Sequence, residues 1–468
     1  MLPKENEALR GSGMKQNPQN TAMDLTRGPV MKTLLRFSFP FMLSVLLQTL
    51  YSTTDTIVVG QVLGSRGLSA VSTGSQLMTM AYMICIGYAN AGQVMIAQAK
   101  GAGNHEKLQK SVSTLFILET LLSAVIGILC IIFCDLLLSA MHTPQEAWEQ
   151  ARLYILICSA GVIFTGLYNM FSAILRGMGD SKHPLLFVLV ASVLNIILDI
   201  LFVAFFHWNV AGAALATVIG QAVSVLFSLY FLNRNRDIFQ VDFRPKSLRL
   251  DKTTSLQLSA IGIPMAANSA AVNFSFLFVG SMVNSLGVVV SAAFGIIQKI
   301  RNLPYILTMG FSQGVIPMYG QNLGAGKTDR VNESVKACIL CCSVVCAAFA
   351  ALFLLAPEFC FRLFTQDETV LAYAGMSMLC LAIEMPAKAV MPACHGLVTA
   401  QGFVQLSSIV ALLDAFAGRV FLCWFCGFYL NLRAFGFFLG YVLGTYVTAV
   451  IVFVYYITGL WKKRAALV

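Results

Sequence analysis

Residues 335–356 read VKACILCCSVVCAAFAALFLLA, a lysine near the start followed by twenty residues without a charge. A helix rising 1.5 Å per residue needs about 20 apolar residues to cross roughly 30 Å of hydrocarbon. The run therefore predicts a membrane span. Its cysteines, Cys338, Cys341, Cys342 and Cys346, have a spacing that resembles a metal site, but no His or acid stands among them. Cysteine inside an apolar run behaves as a small hydrophobe, so these are read as packing residues.

Eleven similar runs surround this one, at about 36–61, 69–98, 111–133, 152–174, 184–206, 211–232, 255–283, 290–318, 370–396, 404–428 and 436–459. Gly and Pro occur freely within them and no in/out alternation is visible, which points to helices rather than barrel strands. The composition agrees: 58% of the 468 residues are hydrophobic and 11% charged, where a soluble domain carries about 25% charged residues. The fold class is an all-α integral membrane protein of twelve transmembrane helices.

The net charge of +10 is distributed in a way that argues for membrane orientation rather than a nucleic-acid partner. Twenty-three Lys and Arg fall in the segments on one side of the twelve runs, against four on the other: Arg66, Arg152, Arg362 and Arg433. The positive-inside rule then places both termini in the cytoplasm, as an even number of spans requires. A plasma or inner membrane is expected. The polar first thirty residues lack the apolar core of a cleavable signal and are read as a disordered cytoplasmic leader.

Internal repetition organises the chain further. Gly101-Ala102-Gly103 recurs as Gly324-Ala325-Gly326 and Gly179 as Gly402, at an offset of 223. Pro40 recurs as Pro264, and Gly212 and Gly220 as Gly436 and Gly444, at 224. Two six-helix lobes of the same sense follow, residues 31–232 and 255–460, joined by a cytoplasmic linker over 233–254 and followed by a basic tail at 461–468. Parallel repeats of this kind form a V-shaped central cleft whose halves can rock past each other. The Gly-Ala-Gly segments lack the strand and the Lys-Ser/Thr ending of a phosphate loop and read as turns.

A charge in hydrocarbon costs about 3 kcal/mol on insertion scales, so acids inside the runs are the first place to look for function. Asp55 ends the polar stretch Gln48-Thr49-Leu50-Tyr51-Ser52-Thr53-Thr54-Asp55. Asp199 follows Asn195 by four residues, which puts amide and carboxylate on one helix face. Asn169 and Thr217 offer further oxygen ligands. At an offset of 223 the second lobe has Gly418 and Leu422 in place of Asn195 and Asp199, so the pair belongs to the first lobe. Glu384 with Lys388 forms a candidate pair in the second lobe, either a neutralised tie or a second site, and Lys299 and Arg301 are read as snorkelling or lobe-bridging residues.

Taken together and in order, these motifs resemble the multidrug and toxic compound extrusion (MATE) family over roughly residues 30–460. The resemblance is carried by Pro40 with Gln48, by Asp55-Thr56-Ile57-Val58-Val59-Gly60, and by Gly101-Ala102-Gly103. Leu175-Arg176-Gly177-Met178-Gly179-Asp180 with Pro184, Asn195 with Asp199, and Gly320-Gln321-Asn322-Leu323-Gly324-Ala325-Gly326-Lys327 complete it. It implies export of cationic or amphipathic organic compounds in exchange for H+ or Na+. It also implies an ion site at Asp55, Asn169, Asn195, Asp199 and Thr217, a bend of the first helix at Pro40, and substrate contact by Gln48 and Tyr51. Some branches carry an acid in the seventh helix, where this chain has only Asn268 and Asn273, so a second-lobe ion site is not implied.

Two desolvated carboxylates resist ionising together, so such a site should take up a proton, or a sodium ion where enough oxygens converge. No cofactor beyond the coupling ion is expected; the expected partners are small organic cations or amphipathic drugs and membrane lipids, and the expected state is a monomer. The competing reading is a flippase for a lipid or lipid-linked metabolite, which would present Lys299, Arg301 and Lys388 to the cleft. Nothing in the sequence supplies the nucleophile, metal cluster or His dyad of an enzyme.

Overall fold

The computed structural model describes residues 22–244, 246–464 and 466–467. Among the described residues, ten helices are long and apolar enough to cross a membrane. The longest, Val30–Gly101, reverses at Gly64 (φ 65°, ψ −161°) and is two spans: α1, residues 30–63, and α2, residues 65–101. The others are α3 (His105–Ile132), α4 (Trp148–Gly177), α5 (Lys182–Asp199), α6 (Asn209–Arg234), α7 (Lys252–Asn284), α8 (Val288–Gly324), α9 (Thr328–Leu355), α10 (Ala374–Ala400), α11 (from Val404) and α12 (Arg433–Ile457). α8 is more polar than the ten and completes the twelve expected from the sequence.

Local chemistry sets several of the boundaries. α3 and α7 begin at Asn104 and Asp251, whose side chains accept from the Lys107 and Thr254 N–H groups. α2 and α8 end at Gly103 (φ 66°) and Gly326 (φ 69°), left-handed positions that glycine adopts without penalty. The packing is that of a membrane protein. Small residues sit between helices, while Leu121, Val125, Ile128 and Ile132 on α3 face outward, Ile132 with 66% of its surface exposed.

The repeat is also written in the backbone. Positive-φ positions recur at Gly64 and Gly287, Gly103 and Gly326, Gly179 and Gly402, His207 and Asn431, and Asn209 and Arg433. α5 ends in the wide π-helical turns of Ile200–Phe205, and α11 ends likewise at Phe425–Tyr429, but α11 holds an additional wide segment at Leu413–Phe421. A π-bulge accommodates one inserted residue. It marks where the offset passes from 223 to 224.

The lobes pack along α1 and α2 against α7 and α8. Ser38 and Met42 meet Gly314 and Gly310, Ala97 meets Gly320, and Gly87 lies against the backbone of Gly262 and Ala266, where a Cβ would come within 3.0 Å. These contacts lie toward the end that carries both termini. Gly280, Gly287 and Gly295, farther from the termini, have open space beside them and take no part in these contacts.

One boundary differs from expectation. The leader was expected to be disordered to residue 30; residues 1–21 lie outside the described residues, but 22–29 are docked. Leu25 is fully buried, and the Met23 N–H donates to Gly179 O at 3.0 Å. Backbone hydrogen bonds and one apolar anchor hold a segment whose composition alone carries no such signal.

Candidate functional site in the first lobe

α1, α2, α4, α5 and α6 enclose a cavity of about 210 Å³ in the first lobe. Gln48, Tyr51, Asn169, Asn195 and Thr217 all line it, joined by Gln221. With its amide oriented to satisfy both neighbours, Asn195 donates to Asp199 Oδ2 and accepts from the Thr217 N–H, each at 3.2 Å. Asn195 thus ties α5 to α6 and holds the Asp199 carboxylate at the cavity edge. The Asn169 amide donates to Thr165 O at 2.9 Å, which leaves its oxygen free to face the cavity.

Asp199 is 1% exposed and Asp55 is half-buried across from it, near enough for the two charges to act on each other. Oδ1 of each is buried without a hydrogen-bond partner from the protein. A buried carboxylate oxygen left unpaired is costly, and a proton or a bound cation is what satisfies it. Carbonyl-type and hydroxyl oxygens of Asn169, Asn195 and Thr217 are the hard ligands that suit a small cation. All five expected ion-site residues therefore gather in one region. Pro40 is buried within α1, where the helix keeps its dihedral angles; the chain reversal lies at Gly64 instead.

The second lobe holds a different arrangement at the matching place. Within and beyond the wide turn of α11 the offset becomes 224, which makes Arg419 and Cys423, rather than Gly418 and Leu422, the counterparts of Asn195 and Asp199. Gly220 packs on Asn195, and its counterpart Gly444 packs on Arg419. Tyr441 and Thr445 stand where Thr217 and Gln221 stand in the first lobe. The conclusion that the amide–carboxylate pair is confined to the first lobe survives this correction.

Around these residues the second lobe is filled with ion pairs. Arg301 clasps Glu384 with Nε at 2.9 and 3.0 Å from the two carboxylate oxygens, and Thr445 Oγ1 donates to Glu384 Oε1 at 2.8 Å. Lys388 Nζ lies 3.5 Å from Glu384, as the i, i+4 spacing suggested. Arg419 pairs with Asp414 at 2.6 Å and stacks over Phe276. Glu384 is thus bound chiefly by Arg301, 83 residues away in sequence, a partner that local spacing could not reveal. Lys388 is buried and Arg301 is held by Glu384, so neither is free to line a cationic cleft.

Two buried acids escaped the sequence reading. Asp414 was hidden in the apolar run of α11. Glu119 in α3 is fully buried near Ser123 and Gly166, with neither carboxylate oxygen hydrogen-bonded. Its position inside the apolar run 111–133 was the available signal.

Comparison with known proteins settles the class. A family model described as MatE matches residues 40–201 and again 264–425, once in each lobe. The chain belongs to the MATE family. MATE relatives include "Probable multidrug resistance protein YpnP" of Bacillus subtilis (strain 168), 27% identical over 94% of this chain and 98% of that protein. "Multidrug export protein MepA" of Staphylococcus aureus (strain NCTC 8325 / PS 47) is 26% identical over 74% of this chain and 76% of its own length. Among solved structures, a MATE crystal structure in the bent conformation superposes with a TM-score of 0.89 at 23% identity, covering 96% of this chain and 99% of that one. An outward-facing MATE transporter gives 0.85 at 24%, covering 94% and 96%. The MATE fold of two six-helix lobes, a multi-pass membrane location and a place among transporters rather than enzymes follow.

Proposed function

We propose that this MATE protein exports cationic or amphipathic organic compounds in exchange for H+ or Na+ by alternating access, with both termini in the cytoplasm and the chain acting as a monomer. The observation that carries the proposal is the first-lobe pair Asp55 and Asp199, each with a buried, unpartnered oxygen, Asp199 being tied through Asn195 to a cavity lined by Gln48, Tyr51 and Asn169. The MepA relative is a multidrug export protein, which supports the same substrate class.

The coupling follows from linkage. Ion and substrate need only prefer different states of one equilibrium for movement of one to drive the other. Cation occupancy of the Asp55–Asp199 region relieves repulsion between the carboxylates and favours a tighter arrangement of α1 against α5, with Pro40 as the point of bending. That narrows the cavity which Gln48 and Tyr51 share with the substrate. A membrane potential of 100 mV supplies about 2.3 kcal/mol per charge moved, and a unit of pH gradient about 1.4 kcal/mol.

Purified protein in liposomes, with pH and sodium gradients imposed separately, tests this. Export of a fluorescent cationic dye driven by one gradient is expected. Dye binding without gradient-driven movement would contradict the proposal and turn attention to lipid substrates.

A further inference from the structure

Gln98 on α2 and Gln321 on α8 are separated by the repeat offset of 223 and are buried to 0% and 2% exposure at the closed end of the cleft. Each carboxamide reaches across to the other lobe. Gln98 Nε2 donates to Ala400 O at the end of α10 at 2.7 Å, and Gln321 Nε2 donates to Gly177 O at the end of α4 at 2.9 Å. Ala400 and Gly177 are themselves repeat equivalents. Both carbonyls belong to the last turn of a helix, where no intrahelical donor is available.

The oxygens of the same two side chains hold the two ends of the chain. Gln321 Oε1 accepts from the Leu25 N–H at 3.1 Å, and Gln98 Oε1 accepts from the Leu467 N–H at 2.6 Å. The segment before α1, part of the first lobe's chain, thereby docks on the second lobe, where Asn322 donates to Leu25 O and Lys327 to Thr26 O. The segment after α12 docks reciprocally on the first. Glycine clears the space for both. A Cβ on Gly179 would meet Met23 O, and one on Gly402 would meet the Leu467 side chain at 2.8 Å. Gly101 and Gly324, which read as turns in the sequence, let each lobe approach the backbone of the opposing glutamine, Gln321 O and Gln98 O respectively.

We propose that Gln98 and Gln321 are a matched pair of latch residues which, with the two terminal segments as straps, hold this end of the cleft shut and set how readily it opens. The proposal rests on the alternating-access reading. A carboxamide carries its donor and its acceptor on separate atoms of one neutral side chain, and each glutamine uses both, one on a lobe and one on a strap. Opening this end must break four such hydrogen bonds and expose Leu25. Neutral buried bonds are individually modest, so the latch is releasable.

Distance distributions between spin labels at His105 and Asp329, exposed residues in the first turns of α3 and α9 in opposite lobes, test it; labels are placed through unnatural amino acids because the chain has 13 cysteines. Gln98→Ala and Gln321→Ala should each raise the long-distance population about fivefold, and deletion of residues 466–468 about threefold. The deletion touches no membrane helix, so it separates latch loss from misfolding. A long-distance population that dye or ions can induce, yet that none of the three changes alters, would overturn the latch and leave alternating access standing. Absence of any long-distance population under every condition would overturn both.

Discussion

The two lobes share a backbone but solve the same buried location differently. In the first, Asn195, Thr217 and Gln221 border a cavity, and Asp55 and Asp199 keep unpartnered oxygens beside it. In the second, Arg419, Tyr441 and Thr445 occupy the equivalent positions, and Arg301 fills the space between Glu384 and Tyr441, with its Nη1 3.2 Å from the Tyr441 hydroxyl. One lobe leaves its acids to be satisfied by something that comes and goes. The other pairs its acids with the protein's own cations, Glu384 with Arg301 and Lys388 and Asp414 with Arg419, although Asp414 Oδ1 is itself without a hydrogen bond. The difference teaches that a repeated fold can keep a cavity beside its acids in one half and build counter-ions against them into the other, which under the proposed function confines ion exchange to the first lobe.

Removing one member of the second-lobe cluster should give the largest effect. Glu384→Ala strands Arg301 and Lys388 as buried cations and should lower stability by about 3–5 kcal/mol, read as a loss of thermal stability in detergent; unchanged stability would mean that the two lobes do not differ as described. In the first lobe the effect should fall on transport. Asp199→Asn keeps shape and neutral hydrogen bonding but removes the charge, so gradient-driven export should drop about 100-fold, roughly 2.7 kcal/mol, with stability within about 1 kcal/mol of the parent.

Asn195→Ala sharpens the contrast by loosening Asp199 without touching its charge. Losing one donor to the carboxylate and one acceptor for Thr217 should weaken ion affinity about tenfold, measured as a shift in the ion concentration giving half-maximal transport. The smallest change is expected from Gln48→Ala, which should alter the apparent KM for individual dyes by about threefold while the ion dependence stays fixed. A changed ion dependence would place Gln48 within the ion site instead.

Much of this was legible in the sequence because it is local or periodic. Apolar length gave the spans, fixed offsets gave the lobes, and the Asn195–Asp199 spacing put two of the proposed ion-site groups on one face. Distance in sequence hid the rest. Arg301 meets Glu384 only when α8 packs on α10, and Leu25 meets Gln321 only when the lobes close. The one-residue slip in α11 was invisible in a comparison at constant offset, because a wide helical turn absorbs an insertion without interrupting the apolar run. Asp414, in that same turn, lies beside the Arg419 that neutralises it.

The most direct test is cation binding by the purified protein, as proton uptake or sodium uptake, for the parent, Asp199→Asn and the double variant Glu384→Gln with Arg301→Gln, which removes opposite charges together. Loss of binding in the first variant and near-parental binding in the second is the predicted result. Retained binding in Asp199→Asn, or its loss only when the second-lobe cluster is altered, would contradict the assignment of ion exchange to the first lobe.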